Sequence, residues 1–182
     1  LCMGCMSETG NEQVCSVCGF DSNTYNEAGA LPLRTLLAGR YAVGKAVSVT
    51  GEGFNYIGFD TVTESVVKIA EYFPAGLCGR NADGSVEIKG DTAYVYNEGI
   101  IRFIELNKKL GALANVSALY RVIDIFEVNK TAYAITEYQP GISLKEFLIR
   151  NGGLLTWDQV RPLFLPLMNS LKTLHENGIV HG

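Results

Sequence analysis

Ser65-Val-Val-Lys-Ile-Ala-Glu-Tyr-Phe-Pro74 decides how this chain is read. Its first six residues are rich in Val and Ile and read as a strand. Pro74, Gly76, Gly79 and Gly84 then make 71–84 a loop. Upstream, Tyr41–Val49, with Gly44 inside it, and 54–60 read as two more strands, the latter joined to 65–70 by a short polar turn. Downstream, 85–89 alternates and suits a small hairpin arm after the Asp83-Gly84 turn. A helix is expected from the Asp91/Thr92 cap to about Ala114, because Ile100, Phe103, Ile104, Leu110 and Leu113 recur near helical spacing. Gly99 weakens its middle, and Glu105 and Lys109 form a supporting i,i+4 pair. Segments 119–128 and 131–138 read as strands around an Asn129-Lys130 turn.

Gly141 breaks the chain before a short helix over 144–151. The last helix opens with a capping box, Thr156-Trp-Asp-Gln159. Its apolar face carries Val160, Leu163, Phe164, Leu167, Met168, Leu171 and Leu174. No internal repeat is present. The order of elements predicts an α+β fold, with a five-stranded antiparallel sheet carrying one long helix, followed by a helical part.

The chain has 182 residues, of which 47% are apolar and 19% charged. That composition suits one or two globular domains and excludes disordered and collagen-like classes. The net charge of −4 argues against broad binding to a phosphate backbone. No apolar run is long enough for a membrane helix, and no basic start with an apolar stretch marks a secretory signal. Leu1 at one end, and His181-Gly182 directly after a long apolar helix at the other, read as the ends of a fragment.

Four of the five cysteines fall in the first 18 residues, as Cys2-Met-Gly-Cys5 and Cys15-Ser-Val-Cys18. Two such pairs bring four thiolates within reach of one tetrahedral ion, as structural zinc requires. Gly4 and Gly19 suit the knuckles, where backbone N–H groups turn toward sulfur. Few apolar residues separate the pairs, so metal binding has to supply the folding energy. Disulfides and a redox pair are the alternatives. The missing secretory signal speaks against the first, and the missing βαβ pattern against the second. Cys78 lies far from the cluster and reads as a small apolar residue. Residues 1–20 are therefore expected as a zinc ribbon, 21–40 as a polar linker, 41–138 as the sheet domain and 139–182 as the start of the helical part.

Several stretches resemble the bacterial serine/threonine protein kinase family, in particular its branch with an N-terminal zinc ribbon. They are Leu36-Leu-Ala-Gly-Arg-Tyr41, Glu71-Tyr-Phe-Pro74, Thr131-Ala-Tyr-Ala-Ile-Thr-Glu-Tyr138, Ser143-Leu-Lys-Glu-Phe147 and Leu174-His-Glu-Asn-Gly-Ile-Val-His181. The resemblance implies that the sheet and long helix are the small lobe and that the last helix opens the large lobe. Thr136 would be the gatekeeper and Glu137-Tyr138-Gln139 the hinge.

The catalytic positions depart from the family's pattern. The three glycines over the phosphates correspond to Ser48, Thr50 and Gly53, with Gly51 between them, which leaves a poor phosphate cradle. The family's Val-Ala-Ile-Lys corresponds to Val67-Lys-Ile-Ala70. The phosphate-holding lysine is thus Ala70, and Lys68 stands where the family keeps a small alanine beneath the adenine. The helix glutamate that pairs with that lysine corresponds to Leu106, and a shifted register would be needed to bring Glu105 inward. Replacing both partners of an ion pair can be nearly neutral, whereas losing one is costly. His181-Gly182 is where the catalytic loop would begin.

The reading favoured by these residues is a pseudokinase used as a regulatory or protein-binding module. Its metal is a structural zinc held by Cys2, Cys5, Cys15 and Cys18. If ATP and magnesium bind at all, Gly51, Gly53, Lys68, Glu137 and Tyr138 would contact the nucleotide. The alternatives are an active kinase with Lys68 as a relocated lysine and a zinc-ribbon adaptor. No Lys or Arg precedes Arg34, so a protein partner is expected rather than a nucleic acid, in the cytoplasm.

Overall fold

The computed structural model describes residues 1–10, 12–113 and 116–180. Ala114, the expected helix end, and His181-Gly182, the expected start of a catalytic loop, lie outside the described residues. The strands are β1 (Leu36–Leu37), β2 (Tyr41–Val49), β3 (Gly53–Asp60), β4 (Ser65–Tyr72), β5 (Cys78–Arg80) and β6 (Val86–Ile88). They are followed by helix α1 (Ala93–Ala112), strands β7 (Val122–Val128) and β8 (Thr131–Glu137), and helices α2 (Leu144–Arg150) and α3 (Trp157–Glu176).

The main sheet is antiparallel in the order β1-β2-β3-β4-β8-β7. It has six strands rather than the five expected, because Leu36–Leu37 adds a two-residue edge beside β2. The expected loop over 71–84 is also corrected. Strand β4 runs on through Glu71 and Tyr72, and Cys78–Arg80 pairs with Val86–Ile88 to complete the small hairpin arm. Helix α1 starts after a 3-10 turn at Gly90–Thr92. Thr92 is not a side-chain cap, since its hydroxyl donates instead to the carbonyls of Leu77 and Lys89.

Cross-strand partners share a sheet face, so the register divides the sheet. Tyr56, Val67, Ile69, Glu71, Tyr133 and Ile135 lie on one face, and all are buried. Asn55, Ile57, Lys68, Ala70, Ala134 and Thr136 lie on the other. Helix α1 rests against β7 and β8, with Tyr96 and Phe103 packed on the Tyr72 ring. A side chain at Gly99 would run into the Tyr72 hydroxyl, so the glycine that weakens the helix permits its close approach.

The first face holds a buried polar cluster. Glu71 accepts hydrogen bonds from Tyr56 Oη at 2.6 Å, Tyr133 Oη at 2.8 Å and Arg80 Nη2 at 2.7 Å. Arg80 also donates to the carbonyls of Gly29 and Gly84, and its guanidinium lies over the Phe73 ring. Tyr56 Oη accepts from the Leu31 backbone N–H, and Leu31 and Leu37 are buried in the same core. Part of the 21–40 stretch is therefore built into the sheet's core.

In α3 the capping box is formed, with the Thr156 N–H donating to Gln159 Oε1 at 2.9 Å. Ser170 joins this helix to the segment before β7, accepting from the Ala118 N–H at 3.3 Å. Leu163, Phe164, Leu167 and Met168 are exposed, Leu171 is half-buried and Leu174 is buried. Among the described residues, no helix is long and apolar enough to cross a membrane.

Candidate functional site

The two Cys-x-x-Cys knuckles close on each other. Their four sulfurs all lie within 4.8 Å of one another. Cys2 Sγ is 3.6 Å from Cys18 Sγ, and Cys5 Sγ is 3.8 Å from Cys15 Sγ. A tetrahedral ion with metal–sulfur bonds of about 2.3 Å needs sulfur–sulfur edges of about 3.8 Å, which this spacing meets. All four cysteines are free thiols, so the disulfide alternative is not the one observed. Gly4 N–H donates to Cys2 Sγ at 3.2 Å, the amide-to-sulfur bond expected of a knuckle. A side chain on Gly4 would overlap Phe20, and Gly19 takes a positive φ of 71°. Burial raises the Cys5 thiol, but hydrogen bonding with Ser7 and the neighbouring cysteines outweighs it and brings the group down to about 7. Burial pushes Cys18 up to about 12. The four residues could therefore hold one metal ion. Cys78 is apart from them, buried, with its thiol donating to the Pro74 carbonyl and pushed up to about 11 by burial.

The second candidate region is the Lys68 face of the sheet. Ile57, Lys68 and Thr136 stand opposite one another across β3, β4 and β8. Lys68 Nζ lies 5.9 Å from the centre of the Tyr120 ring. Among the described residues it forms no ion pair. Among the described residues, the buried Thr136 Oγ1 has no hydrogen-bond partner. Ala70 sits opposite Asn55 and Ala134, so its row carries no charge.

The turn between β2 and β3 uses its own amides. Thr50 N–H donates to the Gly53 carbonyl, Gly53 N–H to the Thr50 carbonyl and Glu52 N–H to Thr50 Oγ1. Three donors that could face an anion are thus engaged within the turn. Gly53 has a separate reason to be glycine. It takes a positive φ of 147°, and a side chain there would strike the Glu71 carbonyl and the Phe73 amide. Leu106 borders a cavity with Gly51, Glu52, Tyr72, Glu98 and Arg102. Glu105 and Leu106 are both exposed. Glu137 N–H donates to the Arg121 carbonyl, its carboxylate accepts from Gln139, and Tyr138 is exposed.

Structural comparison decides what this arrangement is. PpkA-294 in its apo form superposes on 85% of this chain and 54% of its own, with a TM-score of 0.75 and 27% identity. This chain is protein-kinase-like. Sperm motility kinase 1 from Mus musculus is 31% identical over 80 residues, 44% of this chain and 16% of that protein. Serine/threonine-protein kinase ppk25 from Schizosaccharomyces pombe (strain 972 / ATCC 24843) is 38% identical over 72 residues, 40% of this chain and 17% of its own length. The matches thus span about a sixth of these curated relatives. No family model matches the chain.

The kinase-like sheet brings the sequence's candidates together in two groups, the cysteines and the Lys68 row. Sequence reasoning missed what lies between them. Met3 and Met6, inside and beside the first knuckle, are buried against Ile57 with Phe59 and Val66 alongside. Their only signal was two apolar residues in a polar segment. The Glu71–Arg80 pair was missed as well, because those residues lie nine apart across a loop and nothing local marks them as partners.

Proposed function

We propose that this chain is a regulatory kinase-like module, a pseudokinase of the bacterial zinc-ribbon serine/threonine kinase branch, with weak or absent phosphotransfer. One observation carries the reading. Of the parts that hold ATP phosphates in a kinase, the strand lysine is Ala70, the helix position is Leu106, and the glycine-turn amides bond to their own turn. The cysteine site is read as a structural zinc site, in a reducing, cytoplasmic setting that keeps thiols free. The partner is read as a protein. The cysteine segment carries Glu8 and Glu12 and no Lys or Arg, which disfavours nucleic acid.

A second reading has one observation in its favour. Lys68 is on the cleft-side face, without an ion-pair partner among the described residues and opposite the unpartnered Thr136 hydroxyl. It could serve as a relocated lysine in an active kinase. Mg-ATP titration separates the two readings. Millimolar Mg-ATP is expected to leave the melting temperature unchanged. A rise of several degrees that Lys68→Met abolishes would establish the second reading instead.

A further inference from the structure

The cysteine module and the Lys68 row are in contact. Met3 and Met6 are buried on Ile57, and Ile57 is the cross-strand partner of Lys68 on the same sheet face. The module also grips β2. Met3 carbonyl accepts from the Lys45 N–H at 2.7 Å, and a side chain on Gly44 would collide with Met6 and with the Met3 and Ile57 carbonyls. Beside it, Asn26 donates to the Gly44 carbonyl and accepts from the Ala46 N–H, while the β2–β3 register shifts between Val43 and Ala46. At this point β2 therefore bonds to the module and to Asn26, where its regular pairing with β3 is broken.

We propose that the cysteine module is a metal-dependent clamp on the Lys68 face of the sheet. Metal binding fixes the first knuckle, which carries Met3 between its two cysteines and Met6 directly after them. The two methionines then hold Ile57 and the Gly44–Ala46 segment. Without metal the knuckle has no core of its own to keep it in place. The methionines leave Ile57, the Lys45 amide loses its acceptor, and β2 and β3 beside Lys68 loosen. Metal occupancy thereby controls the order of the face on which a kinase binds its nucleotide. This inference rests on the metal-site reading above.

Hydrogen exchange on the full chain tests it, with cobalt(II) absorption as an independent report of the four-thiolate site. Binding of one cobalt(II) per chain is expected to slow exchange in 41–49 and 53–60 by about tenfold, with 122–137 changing much less. Met6→Ser should bind cobalt(II) with the same stoichiometry and lose that slowing, and Met6→Leu should keep it. Cobalt binding without any change in 41–60 would overturn the clamp and leave the metal site standing. Absence of cobalt binding would overturn the metal reading itself. Equal slowing across the whole sheet, or full slowing in Met6→Ser, would show that the methionine contact is not the link.

Discussion

The two faces of the main sheet treat charge in opposite ways. On one, a carboxylate is completely buried, and three donors from β3, β8 and β5 converge on it. On the other, Ala70 stands at the position that resembles the kinase strand lysine, with its helix counterpart Leu106 on α1, and the nearby cation, Lys68, rests beside an aromatic ring. A buried charge is tolerated where its partners are fixed, and it is removed where both partners have been replaced together. The same sheet thus keeps a buried polar anchor on one side, while on the other Lys68 has no ion-pair partner among the described residues.

The largest way to break this contrast is Glu71→Ala. It leaves Arg80 as an unpaired buried cation and strips Tyr56 and Tyr133 of their acceptor. Urea unfolding should show a loss of about 3–5 kcal/mol, the cost of breaking a buried pair from one side. A loss below 1 kcal/mol, marked as about one hydrogen bond, would mean that the cluster is solvated in solution.

Alkaline pH probes the same anchor more gently. Burial, then the Glu71 charge, raises the Tyr56 and Tyr133 hydroxyls well above their ordinary range. Unfolded tyrosines ionise near pH 10, so above that pH the unfolded chain releases protons that the folded one retains. The contribution is fully present below about pH 10 and is lost as pH rises toward the folded values. Urea midpoints between pH 8 and 11 should stay level and then fall, and a fall that begins near pH 8 would contradict the burial of both rings.

On the other face, restoring the missing pair should give a smaller effect. Ala70→Lys combined with Leu106→Glu is expected to be more stable than the sum of the single changes, by about 0.5–1 kcal/mol. A double-mutant cycle with no coupling would show that the two positions do not face each other. Lys68→Met should matter least. It removes one cation–aromatic contact worth about 0.5–1 kcal/mol at an exposed site, some of which the methionine recovers by packing. A loss as large as that of Glu71→Ala would mean that Lys68 carries a structural charge and that the two faces are alike.

Much of this was legible in the residues. The strands follow the expected runs to within a few positions, and the Asn129-Lys130 turn takes the left-handed backbone at both residues. The capping box forms, and the cysteine spacing brings four sulfurs together. These features are local, set by turn chemistry, alternation and spacing over a few residues. The five-strand expectation fell short because a two-residue edge such as Leu36–Leu37 has no period to read.

What the sequence by itself determined is which residues, Ala70, Leu106, Ser48 and Thr50, stand at positions that resemble kinase motifs, and the four cysteines at knuckle spacing. Which residue stands at a position that resembles a kinase motif is read directly along the chain, and no folding is needed to see it. Only the tertiary structure decided that Met3 and Met6 press on Ile57, that Gly53 is glycine because Glu71 passes beside it, and that Glu71 meets Arg80. Those are contacts between segments distant along the chain or across strands. Their partners are chosen by strand register and by the closeness of backbones, which no local pattern encodes.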